Sequence, residues 1–162
     1  MYKVSSNIKL KSEAEDIWKA ISCHGNLNFF HPFCKKNIVI EGNKKSIKKD
    51  ILVYLNDNVY ERDFYQWDEM TGYKLMIGKK NGKKSKVVWK IFKNKKHTLL
   101  NINIYPYKTD KINSIFYPIF FYLYIRPKLK SYLNRVLKGL KFYLYNNKKV
   151  TKNQFGKHSW FS

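Results

Sequence analysis

The N-terminal segment combines one strand pattern with two short helical patterns, and this order constrains the fold more than any other feature. Apolar and polar residues alternate from residue 4 to residue 10, which predicts a strand. Ser12 and Glu15 then have the spacing of a capping box, which predicts the start of a helix. A second short helix is expected between Gly25 and Pro32. A strand, two short helices and a return to strands indicate an α+β fold.

Alternating runs continue through the middle of the chain and predict an antiparallel sheet. Residues that tolerate tight turns, such as Asn56-Asp57-Asn58, separate several of the runs. Together with the first strand they give about seven strands. The six later strands are expected at residues 38–40, 47–55, 59–67, 73–77, 87–91 and 100–104.

The last third of the chain changes to a helical period. Apolar residues recur at three- and four-residue spacing, which predicts one long amphipathic helix: Leu129, Tyr132, Leu133, Val136, Leu137, Leu140 and Leu144. A helix of about 20 residues is about 30 Å long, enough to cross a sheet. Gly139 lies within it at a propensity cost of about 1 kcal/mol. Close packing against the sheet or room for a ligand would account for that glycine, as would simple drift of the sequence.

Length and composition favour one soluble domain. A chain of 162 residues with 44% hydrophobic and 17% aromatic residues can bury a core. No apolar run reaches the roughly 18 residues that a membrane span needs. The sequence enters a strand pattern without a signal-peptide pattern, and it has two cysteines. We therefore expect a cytoplasmic protein, with peripheral membrane contact as an option.

The net charge of +22 comes almost entirely from lysine. Arg62, Arg126 and Arg135 are the only arginines, whereas nucleic-acid readers usually rely on arginine. Compositional bias, attraction to an anionic membrane and nucleic-acid binding all remain open, in that order of preference. Specific nucleic-acid recognition is the least favoured of the three.

Few residues have the pattern of a catalytic or metal site. Cys23, His24, His31 and Cys34 include metal-ligating types, but their spacing matches no common zinc pattern. We expect no metal, no cofactor and no catalytic residue among them. On the fourth strand Glu61 and Asp63 share one face and Arg62 takes the other, so Arg62 or Glu61 would orient a polar ligand head if the strand enters a cavity.

Residues 112–125 form an apolar, aromatic segment flanked by basic residues. As a helix the segment would reach only about 21 Å, short of a bilayer core of roughly 30 Å. We expect a lid over a cavity, a membrane-contacting segment or a partner surface. Its candidate contact residues are Ile115, Phe116, Phe120, Phe121 and Tyr124.

These features together resemble the START-like superfamily, also called Bet v 1-like, which includes polyketide cyclase/dehydrase and lipid-transport proteins. The resemblance rests on the order of elements and on loose motifs: residues 12–18, the Asn-Leu-Asn-Phe-Phe-His-Pro-Phe segment ending at Phe33, Glu61 with Asp68, Val88-Trp89 and the last helix. It implies a helix-grip fold, in which a curved antiparallel sheet wraps around a long C-terminal helix. The domain is expected at residues 1–147, with residues 148–162 as a tail packed back on it.

The resemblance also implies an apolar cavity between sheet and helix. Binding, with transport as an extension, of a hydrophobic small molecule or lipid is the expected function, with contact to an anionic membrane surface. The alternatives are a cyclase/dehydrase-like enzyme that uses the same cavity, or a basic nucleic-acid-binding or scaffold protein with a filled core. Residues expected to line the cavity are Ile38, Ile40, Arg62, Tyr73, Leu75, Ile77, Trp89, Ile91, Leu100, Ile102, Leu133, Val136, Leu137 and Leu140.

Overall fold

A computed structural model describes residues 1–110 and 112–162, and it has an α+β helix-grip fold. The strands form one curved antiparallel sheet, as predicted. Its spatial order is β1-β7-β6-β5-β4-β3-β2, so the two strands nearest the N-terminus form the two edges. The strands are β1 (Val4–Leu10), β2 (Cys34–Gly42), β3 (Ile47–Tyr54), β4 (Val59–Asp68), β5 (Gly72–Gly78), β6 (Ser85–Lys93) and β7 (Thr98–Tyr105).

Two short helices follow β1, and a long helix follows the last strand. The chain enters this long helix through one short helix and a π-helical turn at Phe121–Ile125. It leaves the long helix at Asn147, whose left-handed backbone (φ 50°) is a common helix ending. The helices are α1 (Ala14–Ser22), α2 (Leu27–Phe30), α3 (Tyr117–Phe120) and α4 (Arg126–Asn146). No helix among the described residues is long and apolar enough to cross a membrane.

The concave side of the sheet is divided into two ends, because α1 and α2 cover only one of them. At the packed end, the rings of Trp18 and Tyr73 lie 6.5 Å apart, and the Phe30 ring lies 6.3 Å from that of Trp89, which also borders the cavity. These side chains, with Leu137 and Leu140 of α4, leave little free space. At the hollow end, the N-terminal half of α4 faces the sheet across an open cavity.

Gly139 accounts for part of this division. A Cβ at residue 139 would overlap the backbone carbonyl oxygen of Phe30 and approach the ring of Pro32 to 3.3 Å. The glycine therefore allows α4 to lie directly against the end of α2. Close packing, one of the explanations that the sequence left open, accounts for this glycine, although the partner is a helix rather than the sheet.

The C-terminal residues after α4 pack against the domain. Arg135 Nε donates to the Phe155 carbonyl at 3.0 Å, and His158 Nε2 lies 3.0 Å from the Lys128 carbonyl oxygen. The Phe161 ring stacks on Tyr54, with ring centroids 4.4 Å apart. This C-terminal segment thus forms part of the wall at the hollow end.

Candidate ligand-binding cavity

The hollow end contains a cavity of about 470 Å³ between the sheet and α4. This hollow interior differs from the filled core that a nucleic-acid-binding scaffold was expected to have. Most of the walls are aliphatic and aromatic. The lining residues are Leu27, His31, Leu52, Tyr54, Tyr60, Arg62, Leu75, Ile77, Val87, Trp89, Ile102, Ile104, Leu129, Tyr132, Leu133, Val136, Trp160 and Phe161, with Gly78, Lys79, Gly82, Lys83, Ser85, Pro106, Tyr107, Thr109, Phe120, Tyr124 and Ile125 completing the lining.

Seven of the residues predicted to line a cavity do so. They come from β4, β5, β6, β7 and α4, on the faces that the apolar alternation assigned to the interior. Whether they contact a ligand remains a prediction. These residues are Arg62, Leu75, Ile77, Trp89, Ile102, Leu133 and Val136.

Five predicted residues face the interior but lie at the packed end, away from the cavity. Each shares its strand or helix face with a residue that does line the cavity, so the face was predicted correctly and the position along it was not. The reason is that α1 and α2 fill the packed end of the space between the sheet and α4. The five residues are Tyr73, Ile91, Leu100, Leu137 and Leu140.

Ile38 and Ile40 were predicted wrongly, because the structure turns them outward. They are 37% and 55% exposed, whereas Asn37, which follows Lys35 and Lys36, is 5% exposed. The Asn37 side chain donates to the Ile51 carbonyl at 3.0 Å, and its Oδ1 accepts the Leu27 N–H at 3.4 Å. Because Asn37 links edge strand β2 to α2 by hydrogen bonds, the polar residue is internal and the isoleucines are external.

A buried ion pair lies in the wall of the cavity. Arg62 Nε donates to Asp50 Oδ1 at 2.7 Å, Nη2 donates to Asp50 Oδ2, and both residues are almost fully buried. Burial opposes the charge on Arg62, but the charge and hydrogen bonds of Asp50 hold the pKa of Arg62 above its usual value. The pair thus places a fixed, internally balanced charge beside an apolar space.

A hydrogen-bonded chain of three side chains lies in the same wall. His31 Nε2 is 2.9 Å from the Tyr132 hydroxyl, which is 3.1 Å from the Tyr54 hydroxyl. Burial and the positive charge of Arg62 lower the pKa of His31 to about 3, so the imidazole is neutral at neutral pH. Burial and the neighbouring Tyr132 raise the pKa of Tyr54.

This hydrogen-bonded group was not predicted from the sequence. His31 was considered only among metal-ligating and catalytic residue types, and Tyr54 and Tyr132 were not proposed as cavity residues. Tyr132 lies on the apolar face of the predicted helix and Tyr54 continues the alternation of β3, so both were visible as inward-facing. Their contact with His31 could not be predicted from local patterns, because His31 and Tyr132 are 101 positions apart in the sequence.

The segment that was expected to be a lid or a membrane contact lies at the rim and divides into two groups. Phe120 and Tyr124 line the cavity, while Ile115 and Phe116 are 78% and 62% exposed. Phe121 is the exception to the prediction: it is 1% exposed and packs on Tyr2, with ring centroids 4.6 Å apart. Its position in the π-helical turn directs this side chain into the protein.

The other candidate residues have structural partners outside the cavity. His24 Nε2 lies 2.9 Å from the Asn43 carbonyl oxygen, whereas His31 contacts Tyr132. Glu61 and Asp63 lie on the opposite face of β4 from Arg62, where both bind Lys49 and Lys84. Among the described residues, no group of three or more His, Cys, Asp or Glu side chains is arranged to hold a metal.

Comparison with solved structures shows that the chain has a START/Bet v 1-like fold. A START superfamily protein from Mycobacterium smegmatis superposes with a TM-score of 0.72 at 15% identity, covering 91% of this chain and all of that one (100%). Ara h 8.0201 superposes with a TM-score of 0.66 at 13% identity, covering 90% of this chain and 99% of that one.

DynU16, from the dynemicin biosynthetic locus, gives a TM-score of 0.65 at 11% identity, covering 91% of this chain and 48% of its own length. The sequence matches no protein-family model and no curated protein. At these identities the comparison establishes the fold, and the function has to be argued from the cavity itself.

Proposed function

We propose that the protein binds a hydrophobic small molecule or lipid in the cavity of its hollow end, and exchanges it at an anionic membrane surface. The cavity volume of about 470 Å³ carries the proposal. Small-molecule sites usually occupy about 300–1,000 Å³ and combine apolar walls with a few polar groups. Each Å² of apolar ligand surface removed from water would contribute about 25 cal/mol.

The polar groups in the wall support binding over the alternative of a cyclase/dehydrase-like enzyme. Such an enzyme would need a polar pair inside the cavity, with one member free to take a proton. His31 is the natural candidate, but its Nδ1 accepts the Phe33 N–H at 3.2 Å and its Nε2 contacts Tyr132. Asp50 is bound through both carboxylate oxygens to Arg62. The cluster is therefore suited to orienting a ligand.

Membrane contact is supported by a patch beside the rim of the cavity, which we call the rim patch: Ile115, Phe116, Ile119, Tyr122 and Leu123. All five side chains are at least 57% exposed. Arg126 lies over the Tyr122 ring at 5.7 Å, and every charged residue after Asp110 is a lysine or arginine. Exposed apolar side chains among cations match the interface of an anionic bilayer, where each Lys or Arg contributes about 1 kcal/mol.

Native mass spectrometry of protein purified from cells tests the ligand proposal. The expected result is a fraction of the protein carrying a small apolar molecule, released when the protein is unfolded. The matched control is Val136→Trp, which places an indole in the cavity and should purify without that mass. If wild-type protein and the variant carry the same bound mass, the ligand does not occupy this cavity.

Co-sedimentation with liposomes tests the membrane proposal. Wild-type protein should pellet with vesicles of phosphatidylcholine and phosphatidylserine, and less with phosphatidylcholine alone. Ile119→Ser combined with Leu123→Ser should reduce pelleting, whereas Phe92→Ser, at a residue 44% exposed on β6, should not. If pelleting decreases equally in both variants, or in neither, the rim patch does not contact the membrane.

A further inference from the structure

The three-residue chain in the cavity wall has more hydrogen-bond donors than internal acceptors can use. His31 Nδ1 accepts the Phe33 N–H, so in a neutral imidazole the hydrogen lies on Nε2. That hydrogen and the two hydroxyl hydrogens of Tyr132 and Tyr54 are three donors. The chain contains two contacts, 2.9 Å and 3.1 Å long, and each contact uses one hydrogen.

The unused hydrogen belongs to Tyr54 when each hydrogen bond is donated in the direction from His31 to Tyr132 and from Tyr132 to Tyr54. A hydroxyl that accepts a hydrogen bond becomes a better donor, so Tyr132, which accepts from His31, donates to Tyr54. Tyr54 lines the cavity, is 2% exposed, and its hydroxyl has no other hydrogen-bond partner in the described part of the chain. A buried donor without an acceptor is destabilising, and a ligand oxygen would give it a partner.

The charges in the wall beside Tyr54 do not favour an anionic ligand, because the other two cations that line the cavity, Lys79 and Lys83, lie exposed in the loop between β5 and β6, where Lys83 pairs with Asp110. Arg62 is already paired with Asp50 through two hydrogen bonds, and a carboxylate transferred into this apolar space would lose its hydration. A ligand hydroxyl would bring a further donor to a wall that already has one unused. An oxygen that only accepts is the complement of this wall.

We propose that the cavity selects apolar ligands carrying a neutral carbonyl oxygen, a ketone, aldehyde or ester, which accepts the hydrogen bond of Tyr54. This inference rests on the proposed function, because it requires that an apolar ligand occupies the cavity. It adds the chemical class of the ligand and the residue that distinguishes it.

The test compares three probes of similar shape by equilibrium dialysis: 2-acetylnaphthalene, 2-isopropenylnaphthalene and 2-naphthoate. The ketone should bind about 5-fold more tightly than the hydrocarbon, as one added hydrogen bond allows, and more tightly than the carboxylate. If the hydrocarbon binds and the ketone binds no better, the inference fails and the proposed function stands. If neither binds, the proposed function fails with it. A carboxylate that binds most tightly also overturns the inference.

Variants of two tyrosines assign the donor. Tyr54→Phe should remove the ketone preference and leave the affinity for the hydrocarbon unchanged, because the hydroxyl that donates to the ketone is absent while the ring that packs on the ligand is kept. Tyr60→Phe is the matched control, since Tyr60 also lines the cavity and its ring lies 5.3 Å from that of Tyr54. A preference that survives Tyr54→Phe, or disappears in Tyr60→Phe, overturns the assignment.

Infrared spectroscopy of the wild-type complex gives a readout that does not depend on whether a variant folds. With 2-acetylnaphthalene labelled at the carbonyl carbon, the C=O stretch should fall below its frequency in cyclohexane, because the carbonyl accepts a hydrogen bond. A bound ketone with the cyclohexane frequency would show that no donor reaches it, and would overturn the inference.

Discussion

The two halves of α4 have the same apolar pattern but different surroundings. Leu137 and Leu140, near the C-terminal end, pack against a filled interior, whereas Leu133 and Val136, one turn earlier, face the cavity. All four side chains are at most 2% exposed. Burial from water alone therefore does not distinguish a packed core from a binding site, and the presence of α1 and α2 on one side does.

Matched leucine substitutions should give the largest difference between the two ends. Leu140→Ala should lower the free energy of unfolding by about 4 kcal/mol, because it removes packed contacts and leaves a new void. Leu133→Ala should cost about 2 kcal/mol, because that side chain already borders open space. Urea unfolding followed by circular dichroism measures both. Equal losses would contradict the division into a packed end and a hollow end.

Gly139→Ala should be the next most damaging change, although alanine favours helices. The added Cβ would overlap the Phe30 carbonyl, so we expect a net loss of about 2 kcal/mol from overpacking. Lys138→Ala, at the exposed neighbouring position, should change stability by less than about 0.5 kcal/mol. A Gly139→Ala protein as stable as wild type would show that α2 and α4 do not approach this closely.

The hollow end should also be the more sensitive to acid, through His31. Its pKa is lowered from 6.5 to about 3 in the folded protein, so the unfolded chain binds the proton first as the pH falls. Stability from this group is complete above pH 6.5 and decreases below it, by up to about 1.4 kcal/mol per pH unit. His31→Gln should flatten the stability curve between pH 6.5 and pH 4 relative to wild type. Parallel curves would mean that His31 is not buried beside Arg62.

The smallest stability effect is expected where a larger side chain enters open space. Val136→Phe should change the free energy of unfolding by less than about 1 kcal/mol, since the cavity accepts the ring. Leu137→Phe, at the next residue, should lose about 1–3 kcal/mol by overpacking. Thermal unfolding of the two variants compares them directly, and the reverse order of stability would place the cavity on the other side of α4.

Periodicity was enough to predict the α+β elements and most of the interior faces, because both depend on local alternation, whereas the helix-grip arrangement followed from the START-like resemblance. Seven cavity residues followed from those faces. The prediction failed for Ile38 and Ile40, because long-range hydrogen bonds of Asn37 set the orientation of edge strand β2. The boundary between the packed end and the hollow end could not be predicted from the sequence either, because it depends on where α1 and α2 lie over the sheet. The walls formed by Trp160 and Phe161 depend in the same way on how residues after α4 return to the domain.

The most direct test of the central claim is the affinity of an apolar probe for the hollow end. Equilibrium dialysis of 2-isopropenylnaphthalene should show binding to wild-type protein and a loss of at least about 10-fold in Val136→Trp, which fills part of the cavity. Lys138→Trp, on the solvent side of the same helix, should bind as wild type does. Equal affinity in all three proteins, or no binding to any, would contradict the claim that the space between sheet and α4 holds an apolar ligand.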